Sequence, residues 1–174
     1  MTYAWKSLDD KGTRFSILCE VPPHKRTISN RVKNRHENEH VPRVQKFPRL
    51  LFSCIVTRWA DDYAVRSIQI YELRRPLSAY LTKKTSLRAA PLPNVHSNGT
   101  VCMGFVSPPV DITPLSVTEK AVNNYFTTRF NDDLLSWNWL RKRRNRKKLE
   151  KTIIDFRKFL PIIDQERVHA KANR

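Results

Sequence analysis

The sequence predicts an α+β domain: an antiparallel meander of strands near the centre, a cysteine-bearing loop at its edge, helices on one face, and a basic helix at the C-terminus. Three observations carry this expectation. Two strand-like runs flank a short turn between residues 50 and 71, a helix-capping signature opens an amphipathic run at Ser116, and a dense cationic block precedes a helically spaced apolar stripe beyond residue 140. With 174 residues, 40% of them hydrophobic, the chain is long enough for one domain with a substantial core. The expected division is a domain over 1–135, containing a basic loop at 22–46, and a basic amphipathic helical extension over 136–174.

Taken in order, Thr13 to Val21 alternates, with Phe15, Ile17, Cys19 and Val21 on one side and Arg14, Ser16 and Glu20 on the other, interrupted only by Leu18. This pattern predicts a half-buried strand, which Pro22-Pro23 ends. From His24 to Lys46 hydrophobic spacing is absent and cations dominate, which predicts a long exposed loop. Leu50 to Thr57 is apolar on both faces and β-branched toward its end, as in a central strand. Ala60-Asp61-Asp62 supplies a turn, and Tyr63 to Tyr71 returns as the hairpin partner, with Ala64, Ile68 and Ile70 expected on the side opposite Val65 and Tyr71.

Beyond residue 104, Ser107-Pro108-Pro109 and Pro114 argue against regular structure until Ser116-Val117-Thr118-Glu119, which has the form of a capping box. Val117, Ala121, Val122, Tyr125, Phe126 and Phe130 then fall at helical spacing and form a core-facing stripe. Asn131-Asp132-Asp133 is a candidate cap for a further helix holding Leu134, Leu135, Trp137 and Trp139. Arg141, Lys142, Arg143, Arg144, Arg146, Lys147 and Lys148 place seven positive charges in eight residues. Leu149, Ile153, Phe156 and Leu160 continue at helical spacing up to Pro161, so the C-terminal helix is expected to be half basic and half amphipathic.

Charge is the strongest compositional signal. Thirty-three Lys and Arg against sixteen Asp and Glu give a formal net charge of +17, a balance that attracts polyanions and makes nucleic acid the first candidate partner. The candidate contacts are the cationic block above together with Lys25, Arg26, Arg31, Lys33 and Arg35. Solubility or an acidic protein partner would also account for such a charge. No run of about 18 apolar residues and no apolar leader is present, so a soluble cytoplasmic protein without a membrane partner is expected. Cys19, Cys54 and Cys102 are odd in number and far apart, unlike a disulfide scaffold, and the five histidines show no zinc spacing, so neither metal nor cofactor is expected.

The most informative stretch is Pro91 to Gly104, P-L-P-N-V-H-S-N-G-T-V-C-M-G. Two of the chain's three glycines, Gly99 and Gly104, flank Cys102. Asn98-Gly99 tolerates positive φ and predicts a chain reversal that presents Val101 and Cys102 at a loop edge. Asn94, held by the preceding proline, places an amide near the thiol, the arrangement that acyl chemistry at sulfur uses to stabilise an oxyanion. His96, six residues before the sulfur, is a candidate base. The same pattern also has a structural reading, in which Asn-Gly is a hairpin signal and the cysteine a small buried hydrophobe.

Pro93-Asn94-Val95 followed by Asn98-Gly99-Thr100-Val101-Cys102 resembles the active-site segment of ubiquitin-conjugating (UBC-like) proteins, whose pattern is His-Pro-Asn, a short loop, Gly, a β-branched residue, and the thioester cysteine. With A-P-L-P-N ahead and V-C-M-G behind, the frame is most similar to the bacterial branch of that superfamily, prokaryotic UBC-like family D. The resemblance covers roughly residues 47–135. The family's histidine, which braces the loop in the classical enzymes, is Leu92 here. The resemblance implies a UBC-like fold in which Cys102 carries a ubiquitin-like protein as a thioester and passes it to an amine, with Asn94 as oxyanion donor. It also implies a ThiF-type activating enzyme as partner. The charge leaves a second reading open: a catalytically inactive UBC-like fold serving as a basic nucleic-acid-binding subunit of a larger nucleoprotein assembly.

Overall fold

The computed structural model describes residues 1–33, 38–102, 108–128 and 150–161, and of 30–33, 38–41 and 43 the backbone alone. Its strands are β1 (Thr2–Ser7), β2 (Arg14–Val21), β3 (His24–Lys33), β4 (Asn38–Phe47), β5 (Leu50–Trp59), β6 (Asp62–Glu72), β7 (Lys84–Arg88), β8 (Val110–Asp111), β9 (Lys151–Asp155) and β10 (Leu160–Pro161). One α-helix, α1 (Pro114–Thr127), and two 3-10 turns, Leu77–Ala79 and Phe156–Lys158, complete the described elements. The described residues thus form mostly antiparallel β-sheet with one helix, an α+β architecture.

A six-stranded sheet in the order β10-β1-β2-β5-β6-β8 forms the frame. β5 lies inside it, as its mostly apolar sequence requires, with both faces covered at Leu50, Leu51 and Phe52. Ile17, Phe52 and Ile70 join a core with Val117, Ala121, Val122, Tyr125 and Phe126 of α1. Their strand neighbours Leu18, Leu51 and Tyr71 point the other way, into a second core with Leu77, Leu87, Phe156 and Phe159. Period-2 alternation therefore feeds two hydrophobic layers from the same strands.

The half-buried reading of β2 is corrected by that second layer. Leu18 is no interruption but a member of it, and Glu20 on the same face is buried. Its carboxylate pairs with Arg49 and accepts the N–H of Leu77 at 2.8 Å, fixing the 3-10 turn to the sheet.

In β6 the register shifts between Ile55 and Val56 of the partner strand, so that Val56 faces Val65 while Ile55 faces Ser67. Arg66 is the extra residue of a β-bulge. The bulge turns Val65 to the same core as Ile68 and Ile70, correcting the strict alternation expected from sequence.

Residues 22–46, expected as a loop, are mostly a hairpin. β3 and β4 pair from His24↔Phe47 to Lys33↔Asn38. Their inward positions are His24, Arg26 and Ile28, a period-2 pattern written partly in polar residues. His24 stacks on Phe47 and meets the edge of Phe126, while the Arg26 guanidinium lies 5.2 Å from the Phe126 ring centre.

α1 begins two residues before the expected capping box. Thr113 is the N-cap, its Oγ1 accepting the N–H of Ser116 at 2.9 Å, and Pro114 occupies the first turn, where its missing donor costs nothing. Glu119 serves the tertiary structure instead, accepting the Tyr3 hydroxyl at 2.7 Å.

The expected C-terminal helix is corrected over 151–161. Here the chain is extended: β9 pairs antiparallel with β7, Phe156 sits in a 3-10 turn, and Leu160-Pro161 pairs with Trp5 and Ala4 of β1. Of the apolar stripe, Phe156 is fully buried, whereas Ile153 and Leu160 are 67% and 53% exposed, so helical spacing is not what the packing uses. Phe130, the Asn131–Asp133 cap and the tryptophan-bearing segment lie outside the described residues, as do Gly104 and the cationic block 141–148. No helix among the described residues is long and apolar enough to cross a membrane.

Candidate functional site

The Pro91–Cys102 stretch forms a small ladder of its own at the edge of β6. Ala90 N–H donates to Ile70 O at 2.8 Å and seats the entry of the loop, with Leu92 and Val95 buried in the core shared with α1. Val95 N–H donates back to Leu92 O at 3.3 Å across Pro93-Asn94, and Asn94 has φ 58°. Proline then a positive-φ asparagine at the two central positions is the chemistry of a type II turn.

The chain next reverses through Ser97-Asn98-Gly99. Asn94 faces Cys102, Val95 faces Val101, and His96 faces Thr100. The Cys102 N–H donates to Asn94 O at 2.7 Å and the His96 N–H to Thr100 O at 2.9 Å, with the bridge Val95↔Val101 between them. Gly99 closes the turn, its N–H donating to His96 O at 2.9 Å. Positive φ falls on Gly99, at 92°, and on Asn94, while Asn98 contributes differently from expectation, its Oδ1 accepting the Thr100 N–H at 2.9 Å. A side chain at Gly99 would also approach Ile70 O to 3.2 Å, so the backbone is held against β6 where only glycine fits.

The returning limb binds β6 directly: Ile70 N–H donates to Gly99 O at 2.8 Å and Val101 N–H to Ile68 O at 2.9 Å. Val101 packs on the core, and alternation turns Cys102 outward, where it is exposed. Cys19 and Cys54 are buried within the sheet. Burial pushes the Cys19 thiol up to about 12 and raises that of Cys54 as well, so both remain protonated at neutral pH. No group of three His, Cys, Asp or Glu among the described residues could hold a metal ion.

The residues singled out in sequence are distributed as follows. Asn94 and Cys102 are brought together through the main-chain bond, with Asn94 buried at 6% exposure, and His96 lies two positions along the same ladder with an exposed side chain. Lys25 is exposed on the hairpin, and Arg26 covers Phe126. Arg31 and Lys33 lie in β3 with side chains outside those described, and Arg35 lies outside the described residues altogether.

Leu92, where a bracing histidine was expected, is fully buried and anchors the loop by packing instead. Two further braces were not anticipated. The Tyr125 hydroxyl donates to Pro93 O at 3.0 Å from beneath the loop. The signal was available, because a buried tyrosine at a core position of a helix must find an acceptor. Glu150 grips the tip of the loop twice, its N–H donating to Ser97 O at 2.9 Å and its Oε1 accepting the Ser97 hydroxyl at 3.0 Å. Its own carbonyl accepts the Ala89 N–H at 3.2 Å, and nothing local in the sequence signals this 53-residue contact.

Tyr125→Phe is expected to cost about 1–2 kcal/mol, the penalty of leaving a buried carbonyl without its donor, measurable as a lower urea midpoint with unchanged slope. A shift below about 0.3 kcal/mol would mean the hydroxyl does not brace Pro93.

A family profile described as prokaryotic E2 family D matches residues 16–161, from β2 through the loop and on to β10. The chain belongs to prokaryotic E2 family D. No curated protein and no solved structure matches it. Membership makes this an E2-like chain of bacterial type, and the match reaches well beyond the dozen residues around Cys102.

Proposed function

We propose that Cys102 of this E2-like protein accepts the C-terminal acyl group of a ubiquitin-like protein and transfers it to an amine. The observation that carries the reading is the presentation of the sulfur: of the three cysteines, Cys102 alone is exposed, on a loop held to β6 and Glu150 by backbone bonds and to α1 by the Tyr125 hydroxyl. The Cys102 thiolate attacks the thioester carbonyl held by a ThiF-type activating enzyme, the new S–C bond forms, and the activating enzyme's sulfur leaves as thiolate. In the second step an acceptor amine attacks, the C–S bond breaks, Cys102 leaves as thiolate, and the amine's surplus proton goes to solvent. A thioester is already activated, so orientation supplies much of the rate, and a rigid loop suits that role. In this reading Asn94 stabilises the oxyanion and His96 assists proton movement at the rim.

The sequence frame A-P-L-P-N and V-C-M-G supports a finer resemblance, to the plasmid-associated PRTRC system protein B, and with it a role in the bacterial cytoplasm. The test is incubation with the candidate ubiquitin-like protein and its activating enzyme, with a thiol-sensitive adduct as the expected product. Absence of any adduct with every activating enzyme encoded beside the gene would remove the reading.

One observation favours a second reading, a basic subunit of a nucleoprotein complex. Lys25 and Lys46 stand directly opposite each other on β3 and β4, both exposed, and like charges so placed repel unless an anion lies between them. Lys25→Gln with Lys46→Gln is expected to lower the salt concentration needed to elute the protein from heparin and to reduce the salt slope of duplex binding by up to about 2. An unchanged slope would exclude the hairpin from phosphate contact.

A further inference from the structure

The main chain of β9 is paired on one edge only: among the described residues it bonds β7 and no other strand. Which groups face the open edge follows from the two ends of that pairing. Phe156 N–H donates to Lys83 O at 2.9 Å and Ala89 N–H donates to Glu150 O at 3.2 Å, so Glu150, Thr152, Ile154 and Phe156 turn their main-chain groups toward β7. Such groups alternate along an antiparallel strand, which directs the N–H and C=O of Lys151, Ile153 and Asp155 to the open side. An unpaired edge of this kind is a template for another extended chain.

A channel of about 300 Å³ runs along that edge, between β9 and the face of the six-stranded sheet away from α1. Its floor holds Ser53 and Gln69, register partners on β5 and β6. Two positions away on the same face, Leu51 and Tyr71 are buried beneath the second layer, whereas Ser53 and Gln69 are only half-buried. The apolar covering thus stops at the row where both strands turn polar. Gln69 Oε1 accepts the Tyr71 hydroxyl at 3.0 Å, which holds the amide in place. The far end of the channel lies at Lys6 of β1 and at Lys158 and Phe159.

Its near end meets the Cys102 loop. Thr100 bridges to Gln69, and alternation puts Cys102 on the same side as Thr100, opposite the core-facing Val101. Two residues of extended chain span about 7 Å, so the sulfur stands beside the mouth of the channel. Glu150, which holds Ser97, is the residue from which β9 departs, so β9 runs away from the loop. A chain joined to Cys102 by its C-terminal end and lying in the channel therefore runs antiparallel to β9, the more stable of the two pairings. About five of its residues, roughly 17 Å, cover the length of the strand.

We propose that this channel takes the C-terminal tail of the ubiquitin-like protein as a strand added to the free edge of β9. The inference rests on the reading of Cys102 as the acyl carrier and states how that carrier holds its cargo. Main-chain bonds at Lys151, Ile153 and Asp155 supply the affinity, and the polar floor of Ser53 and Gln69 selects small or polar side chains in the tail.

The test uses a synthetic hexapeptide of alternating Thr and Val with a C-terminal aminoethanethiol, attached to Cys102 of the full chain by exchange from its pyridyl disulfide. Amide hydrogen exchange at Ile153 is expected to slow about tenfold or more relative to the chain carrying aminoethanethiol alone. Ile153→Pro removes that donor at an edge position where proline is tolerated, and should cancel the protection read at Asp155. Ile153→Ala keeps the N–H and should retain the protection to within about twofold. Ser53→Leu fills the floor without touching the edge and should also cancel it, which keeps the test decisive should the proline variant fail to fold. Because the peptide is attached chemically, no activating enzyme is involved. Protection of β9 without any enzymatic adduct would remove the Cys102 reading and support the channel as a peptide site. An enzymatic adduct formed while the peptide leaves β9 unprotected would overturn the channel and keep the reading. Protection of Ile153 that is present without peptide and rises with protein concentration would give the edge to a second copy of the chain and overturn the proposal.

Discussion

Cys102→Ala is expected to abolish the thiol-sensitive adduct completely, while Cys19→Ala and Cys54→Ala retain it. The asymmetry follows from burial. Cys102 is exposed, whereas Cys19 and Cys54 lie within the sheet with thiols held protonated by desolvation, so neither can substitute as a nucleophile. The same argument predicts alkylation stoichiometry without any partner: one thiol modified per native chain and three after denaturation, with the native site mapping to Cys102. An adduct that survives Cys102→Ala would show that the carrier lies elsewhere. Rapid native alkylation of Cys54 would show that the sheet is not closed around it.

Phe156→Ala is expected to cost about 3–5 kcal/mol, the largest stability loss for a single truncation outside the central strands. Its side chain is fully buried in the second hydrophobic layer with Leu18, Leu51 and Tyr71, and its ring lies 5.5 Å from Tyr80 and 6.5 Å from Phe159. Ile153→Ala and Leu160→Ala, at exposed positions of the same stripe, should cost less than about 1 kcal/mol each. Urea unfolding distinguishes this from a surface helix, in which the three truncations would have comparable effects. Because the segment begins at Glu150, losing its anchor should also loosen the grip on Ser97, read as faster amide exchange across His96 to Thr100.

The elements most legible in the sequence are those whose burial is decided locally. Leu50 to Thr57 carries apolar residues on both of its alternating faces, broken only by Ser53 and Thr57, so it could only be covered on both sides. The stripe of Val117, Ala121, Val122, Tyr125 and Phe126 defines a helix face, although Thr113 rather than Ser116 caps it, because Pro114 is tolerated in a first turn. The loop was legible through Pro93-Asn94 and Gly99, whose backbone preferences match the positive φ at Asn94 and Gly99. The β3–β4 hairpin was not, because its inward positions His24 and Arg26 count as polar in sequence yet are covered by Phe47 and Phe126. Val65 changed sides because one bulged residue, Arg66, resets the alternation of everything before it.

By itself the sequence determined that this chain has a sheet with a two-sided central strand, a helix packed on one face, and a cysteine at the end of a turn-rich loop. Each is written in the preferences and spacing of residues close together in the chain. Only the tertiary structure decided that Phe156 closes a second layer and that Glu150 holds Ser97. It also decided that Arg88 and Lys151 stand opposed across the β7–β9 pair. Those facts depend on contacts between residues more than 50 positions apart, where spacing along the chain carries no information about which surface a side chain will meet.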